Sequence, residues 1–189
     1  MLHQLIKPAL VIFSLALPLW IILRLIINGY KKQQVSPGRE FLLFVCYVYF
    51  IGILLLTVVP IPMTRHPTPK LDRINFVPVV HTFREFVATF SRGRSFMKIL
   101  ALENVLGNIV LFFPLGVLLP LISPRLCSFK QILLIAFLAS TAIEFIQFIS
   151  QHFGNYRSVD IDDVILNTLG AVLGFVIAGK PLARNNNWP

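Results

Sequence analysis

Five apolar runs decide what this chain can become. They run from about Pro8 to Ile27, Phe41 to Ile61, Leu102 to Ile122, Phe129 to Ser150, and Val164 to Ala178. A helix needs about 20 apolar residues to cross the hydrocarbon of a bilayer, because each residue advances it by only about 1.5 Å. Four runs meet that length, and the flanks of the fifth can extend it. In lipid the backbone must satisfy its own hydrogen bonds, so runs of this kind become helices. The expected fold is therefore all-α: a polytopic transmembrane bundle of five helices. A mean hydropathy of +0.78 and 56% hydrophobic residues in 189 agree with it. The first run has no small-residue cleavage site after it, which favours a retained helix over a signal peptide.

Charge supplies the orientation. Lys and Arg number 17 against 8 acidic residues, for a net charge of +9. The basic residues flank the apolar runs, where they meet anionic lipid, so nucleic acid is not an expected partner. With the N-terminus outside, the short loops and ends place eight basic residues inside: Arg24, Lys31, Lys32, Arg39, Arg125, Lys130, Lys180 and Arg184. Only Lys7 and Arg157 are outside by the same count, while the long segment 63–99 adds seven more there. Short loops carry the positive-inside signal and long ones translocate largely regardless of charge, which selects N-out and C-in. The long segment begins Pro-rich, with Pro60, Pro62, Pro67 and Pro69. It continues with Val79, Phe83, Phe86, Val87 and Phe90 at helical spacing, a short amphipathic helix for the membrane interface. Residues 1–40 read as an N-terminal span and basic loop, 41–180 as the main membrane domain, and 181–189 as a disordered tail.

The polar residues inside this apolar chain are few and patterned. Glu144 lies within the fourth run. An acidic group at a helix centre in a bilayer costs roughly 2.5–3.5 kcal/mol, so it persists where it faces protein, a partner or water. Ser140, Glu144, Gln147 and Gln151 follow at steps of four, three and four, which is one stripe of a helix. In the N-out arrangement Glu144 is roughly 9 Å below the outer end of its helix. Glu103, Asn104 and Asn108 fall at the outer part of the third helix, and Asp160, Asp162, Asp163 and Asn167 at the start of the fifth. Arg157 stands in the loop between the fourth and fifth helices.

Each of these has a structural role open to it. Asp160 suits an N-cap, and Asp162 and Asp163 suit the positive end of the helix dipole. The asparagines suit interhelical hydrogen bonding, and Gly170 and Gly174 a close helix contact. Pro114 and Pro120 are expected to kink the third helix. Glu144 asks for more, since Gln would serve packing at less cost.

Other chemistry finds little support. The four histidines are scattered and form no legible metal site. A hard cation on Glu144, Asp160 and Asp163 is conceivable but is not expected. No Gly-rich phosphate loop and no recognisable nucleophile motif occurs. Cys46 and Cys127 are expected as free thiols, and no cofactor is expected.

The blocks ENVLGNIVLFFPLGVLLP (103–120), STAIEFIQ (140–147) and YRSVDIDDVILNTLGAVLG (156–174) together resemble the VanZ-like family of bacterial membrane proteins. DRINFVP (72–78) resembles that family's Arg-x-Asn-Leu-x-Pro-Phe block, with Phe76 and Val79 departing from it. The resemblance covers roughly residues 42–178 and implies a four-helix core, here preceded by one extra helix. It also implies an outer location for the shared polar residues. Carried over are Arg73, Asn75, Pro78, Glu103, Asn104, Asn108, Pro114 and Gly116, then Ser140, Glu144 and Gln147, and finally Arg157, Asp160, Asp162, Asp163, Asn167 and Gly170. The family's namesake is associated with low-level resistance to the glycopeptide teicoplanin, without an assigned reaction.

The expectation for function is an envelope protein of the bacterial cytoplasmic membrane that binds a lipid or lipid-linked headgroup. Its outer-facing pocket would be lined by Arg73, Asn75, Glu103, Asn104, Asn108, Ser140, Glu144, Gln147, Arg157, Asp160, Asp163 and Asn167. An intramembrane hydrolase or transferase with Glu144 as acid or base, a proton-coupled transporter, and a helix-interaction scaffold stand as alternatives. The partners expected are membrane lipids, among them a lipid-linked envelope precursor. Oligomeric state and substrate are left open.

Overall fold

The computed structural model describes residues 2–31, 36–57, 74–75, 95–151 and 159–185. Its five long helices are all apolar enough to cross a membrane: Leu10–Gly29, Pro37–Thr57, Leu102–Ile122, Phe129–Ser150 and Ile161–Ala183. The protein is an all-helical, multi-pass membrane protein. The chain divides into two compact units, residues 1–61 and 62–187, so the second helix groups with the first rather than with the rest.

In the first unit, α1 (Leu2–Lys31) packs against α2 (Pro37–Thr57). Pro37 opens α2 at the position where its missing N–H is no loss, and the Ser36 carbonyl accepts from Glu40 N–H at 3.1 Å. Aromatic contacts hold the pair together. The rings of Trp20 and Tyr47 stack with centroids 4.8 Å apart, and the Tyr47 hydroxyl donates to the Ala16 carbonyl at 2.7 Å. Most large side chains of α1 remain exposed, as a helix solvated by lipid requires.

In the second unit, α3 (Ser95–Ile122) leads through a 3-10 turn at Pro124–Leu126 into α4 (Phe129–Gln151). α5 (Ile161–Gly174) follows, then passes without a break through a π-helical turn, Phe175–Gly179, into α6 (Lys180–Asn185). α3 and α5 run parallel with their backbones in direct contact. A Cβ on Gly170 would overlap the Ile109 carbonyl, one on Gly174 that of Phe113, and one on Gly116 that of Ala171. Small residues permit this approach where no hydrophobic force drives helices together. Phe112, Leu115, Ala171 and Phe175 close the interface, and Ile132 and Ala136 bring α4 into the same core. Two residues of extended chain, β1 (Ile74–Asn75), pair in parallel with β2 (Val159–Asp160), Asn75 opposite Asp160. This bridge is too small to change the fold class.

Several boundaries differ from the sequence reading. α3 starts seven residues before the expected Leu102, because Ser95–Ala101 continues the helix beyond its apolar part. The fifth span reaches Ala183, since the π turn keeps the backbone bonded past Ala178. Part of the expected disordered tail is helical through Asn185. Pro114 and Pro120 both lie inside α3. The expected amphipathic helix, the Pro-rich turn and the last four residues fall outside the described residues.

Candidate functional site

Ser140, Glu144 and Gln147 of the stripe expected on the fourth run lie on the buried face of α4, while the surroundings of Gln151 fall outside what is described. Ser140 is fully buried, and Glu144 and Gln147 retain only 7% and 4% of their exposure. Ser150, one turn beyond Gln147, is buried as well and donates its hydroxyl to the Gln147 carbonyl at 2.7 Å. The opposite face of α4 is lipid-like, with Leu134, Leu138 and Phe145 exposed. A helix with one polar stripe in an apolar surround must bury that stripe against a polar neighbour. Here the neighbour is α5.

Three interhelical links make the seam. From α5, Asn167 donates its side-chain amide to Ser140 Oγ at 2.8 Å. One turn toward the end of α4, a Glu144 carboxylate oxygen accepts the backbone N–H of Asp160 at 3.1 Å. From α3, Asn108 donates its amide to Asp163. Ser140 and Glu144 are neighbours on α4, as Asp163 and Asn167 are on α5, so the links form one continuous polar path through three helices.

The start of α5 explains why acids gather there. Asp160 has extended backbone (φ −130°, ψ 121°), and its carboxylate accepts the Asp162 N–H at 3.0 Å. It is an N-cap, which satisfies one of the first unpaired N–H groups of the helix. Asp162 and Asp163 occupy the first turn. Glu144 approaches the same end from α4, so four carboxylates share the positive end of one helix dipole. Each such placement stabilises by about 0.3–1 kcal/mol, and by up to about 2 kcal/mol when partly buried.

This chemistry is one of acceptance. Carboxylates, a hydroxyl and amide oxygens line the seam, suited to an ammonium, an amide or hydroxyl hydrogens. Asn167 keeps only 3% of its exposure, and its side-chain carbonyl oxygen has no hydrogen-bond partner among the described residues. Glu144, Asp160 and Asp163 are each committed to a different bond, and no metal-binding group of three such residues occurs among those described. Ser140 is inaccessible and already engaged with Asn167, which fits a structural hydroxyl better than a nucleophile.

The remaining expected residues divide into three groups. Glu103 and Asn104 are exposed on α3, whereas Asn108, one turn on, is half-buried and joined to the seam. Asn75 enters through its backbone, in register with Asp160. Arg73 and Arg157 lie outside the described residues. Sequence reasoning missed Ser150, which continues the Gln147 step by three, and it counted Arg24 only among the inside basic residues. In the structure Arg24 pairs with Glu40 through two guanidinium nitrogens and lies over the Trp20 ring at 5.7 Å.

A multi-pass bundle with a buried carboxylate at a helix start defines a class: helical membrane proteins with a polar seam among their spans. Within that class the family is specific. The VanZ/LLP1 family model matches residues 41–182, three quarters of the chain, and the protein belongs to this family. No curated protein and no solved structure matches it.

Proposed function

We propose that this protein binds a lipid or lipid-linked headgroup at the polar seam of α4 and α5, in the outer leaflet of a bacterial cytoplasmic membrane. The observation that carries the reading is Glu144: a carboxylate buried within a membrane-spanning helix and held against the start of α5. Its environment supplies acceptors for a headgroup bearing amine, amide or hydroxyl hydrogens. Arg73 and Arg157 would supply cations for such a headgroup; in sequence they stand one residue before β1 and two before β2. Cations there suit the phosphate or carboxylate of the same headgroup. The N-terminus is outside and the C-terminus cytoplasmic in this reading, on the distribution of basic residues in short loops.

Sequestering or masking an envelope precursor would alter access of glycopeptides such as teicoplanin to their target. The test is complementation in a strain lacking the gene, at matched protein levels, with wild type and Glu144→Gln. The reading expects teicoplanin susceptibility to move with wild type and to revert with the variant. An identical susceptibility for both would remove Glu144 from the function.

A further inference from the structure

The first unit carries a second polar feature that the seam does not involve. α1 and α2 enclose an open groove of about 360 Å³. Trp20, Ile21, Leu25 and Phe44 form its apolar walls, and Arg24, Asn28 and Glu40 its polar floor. Arg24 lies five residues before the end of the first span at Gly29, roughly 7.5 Å by helical rise. Glu40 lies three residues after the start of the second at Pro37, roughly 4.5 Å. The floor is therefore at the depth where headgroups meet acyl chains, and the walls extend into the acyl region.

The floor is only partly closed by its own ion pair. Arg24 uses Nε and Nη2 toward Glu40, and Nη2 also toward Asn28 at 3.4 Å. Its Nη1 has no partner among the described residues, and the two side chains keep 20% and 25% of their exposure. The guanidinium lies over the Trp20 ring, 5.7 Å from its centroid, which adds a cation–π attraction to the ion pair. The Glu40 carboxylate, which also draws on the Asn28 side chain, keeps acceptor capacity beyond the bonds that Arg24 donates, since two carboxylate oxygens offer about four lone-pair sites. Positive and negative groups thus stand side by side at the polar floor of the groove.

We propose that this groove binds a zwitterionic phospholipid whose head carries both a phosphate and a primary amine. The phosphate takes the Nη1 edge of Arg24, with exposed Arg39 nearby as a second cation. The ammonium takes Glu40, and an acyl chain lies along Ile21, Leu25 and the Phe44 ring. An anionic head without the amine would meet Arg24 but leave Glu40 against a like charge. Most of the groove lies outside the matched family region, since only Phe41 and Phe44 of its lining fall within residues 41–182.

The test uses the purified full chain, stripped of lipid in mild detergent. Phosphatidylethanolamine and phosphatidylglycerol of identical acyl chains are added, and bound lipid is read by native mass spectrometry. Wild type is expected to retain the ethanolamine lipid about tenfold better, the scale of one charge-assisted hydrogen bond. Ile21→Trp, which narrows the groove and leaves both charged residues in place, is expected to abolish that retention. Glu40→Gln keeps an acceptor for Arg24 and removes the charge, so it is expected to erase the preference between the two lipids. Equal retention of both lipids by wild type, or a preference for the glycerol lipid, would overturn the proposal. So would undiminished retention by folded Ile21→Trp. Should Ile21→Trp not fold, the wild-type preference and its response to Glu40→Gln decide the matter. The responses to Ile21→Trp and Glu40→Gln assign the retained lipid to this groove, since neither residue belongs to the seam, and so the groove and the seam stand or fall separately.

Discussion

Glu144 and Asp160 are 16 residues apart in the chain, yet the carboxylate of the first accepts the backbone N–H of the second at 3.1 Å. The bond ties the end of α4 to the cap of α5, and it joins a helix start to the deepest charge in the bundle. Gln can still accept from that N–H, whereas an apolar side chain cannot. Glu144→Gln is thus expected to melt within a few degrees of wild type in detergent. Glu144→Leu is expected to lose about 1–3 kcal/mol, the cost of leaving a buried donor unmet. Thermal unfolding followed by intrinsic fluorescence separates the two variants, and equal losses would deny the bond its structural part.

The Ser140–Asn167 link invites a double-mutant cycle. Removing Asn167 with Ala deletes a donor and an acceptor together, while Ser140→Ala leaves the buried amide without its one partner. Ser140→Ala is therefore expected to destabilise more than Asn167→Ala. The coupling should be near the ~0.6 kcal/mol average of membrane hydrogen bonds, and no larger than about 1.7 kcal/mol. Reversible unfolding in mixed micelles gives the number, and zero coupling would mean the two groups do not interact in the folded protein.

Glycines divide into two sets with opposite expectations. Gly116, Gly170 and Gly174 sit where a Cβ would run into a backbone carbonyl of the facing helix, and neither backbone can yield without parting α3 from α5. Ala at any of them is expected to cost more than about 2 kcal/mol through overpacking and to lower folded yield sharply. Gly52 and Gly107 have nothing within 4 Å, so Ala there is expected to be neutral or to add up to about 1 kcal/mol of helix propensity. Size-exclusion profiles of the five variants would expose a reversal at once.

In the first unit, Arg24→Leu alone should leave the Glu40 carboxylate unpaired near the membrane interface and destabilise the α1–α2 pair. Replacing both with apolar residues is expected to restore most of the loss, since a partly buried ion pair nets little against good packing. The cycle Arg24→Leu, Glu40→Leu and the double variant, read by thermal unfolding, checks this. A double variant as unstable as the sum of the single ones would show that the pair does more than cancel its own charges.

The spans were legible because apolar length is a direct physical requirement of the bilayer. The family and the N-cap at Asp160 were legible for a similar reason: each rests on local residue order. Helical periodicity found the Ser140–Glu144–Gln147 stripe but could not tell which helix would face it. That information lives in contacts such as Asn167 with Ser140, formed between residues 27 apart. The same limit explains Glu103 and Asn104. They share a turn region with Asn108, yet the rotation of α3 set by its glycine contacts with α5 leaves them exposed. The Arg24–Glu40 pair was missed because the partner belongs to the next helix, and a span that continues through a π turn has no signature in the apolar pattern of residues 161–183.

The central claim is that the seam around Glu144 holds a headgroup. The direct measurement is native mass spectrometry of wild type and Glu144→Gln, both released from mild detergent after expression in a bacterial membrane. The account predicts a specific envelope lipid retained by wild type and lost from the variant, with the fold of both intact. Equal and nonspecific lipid retention by the two proteins would contradict it.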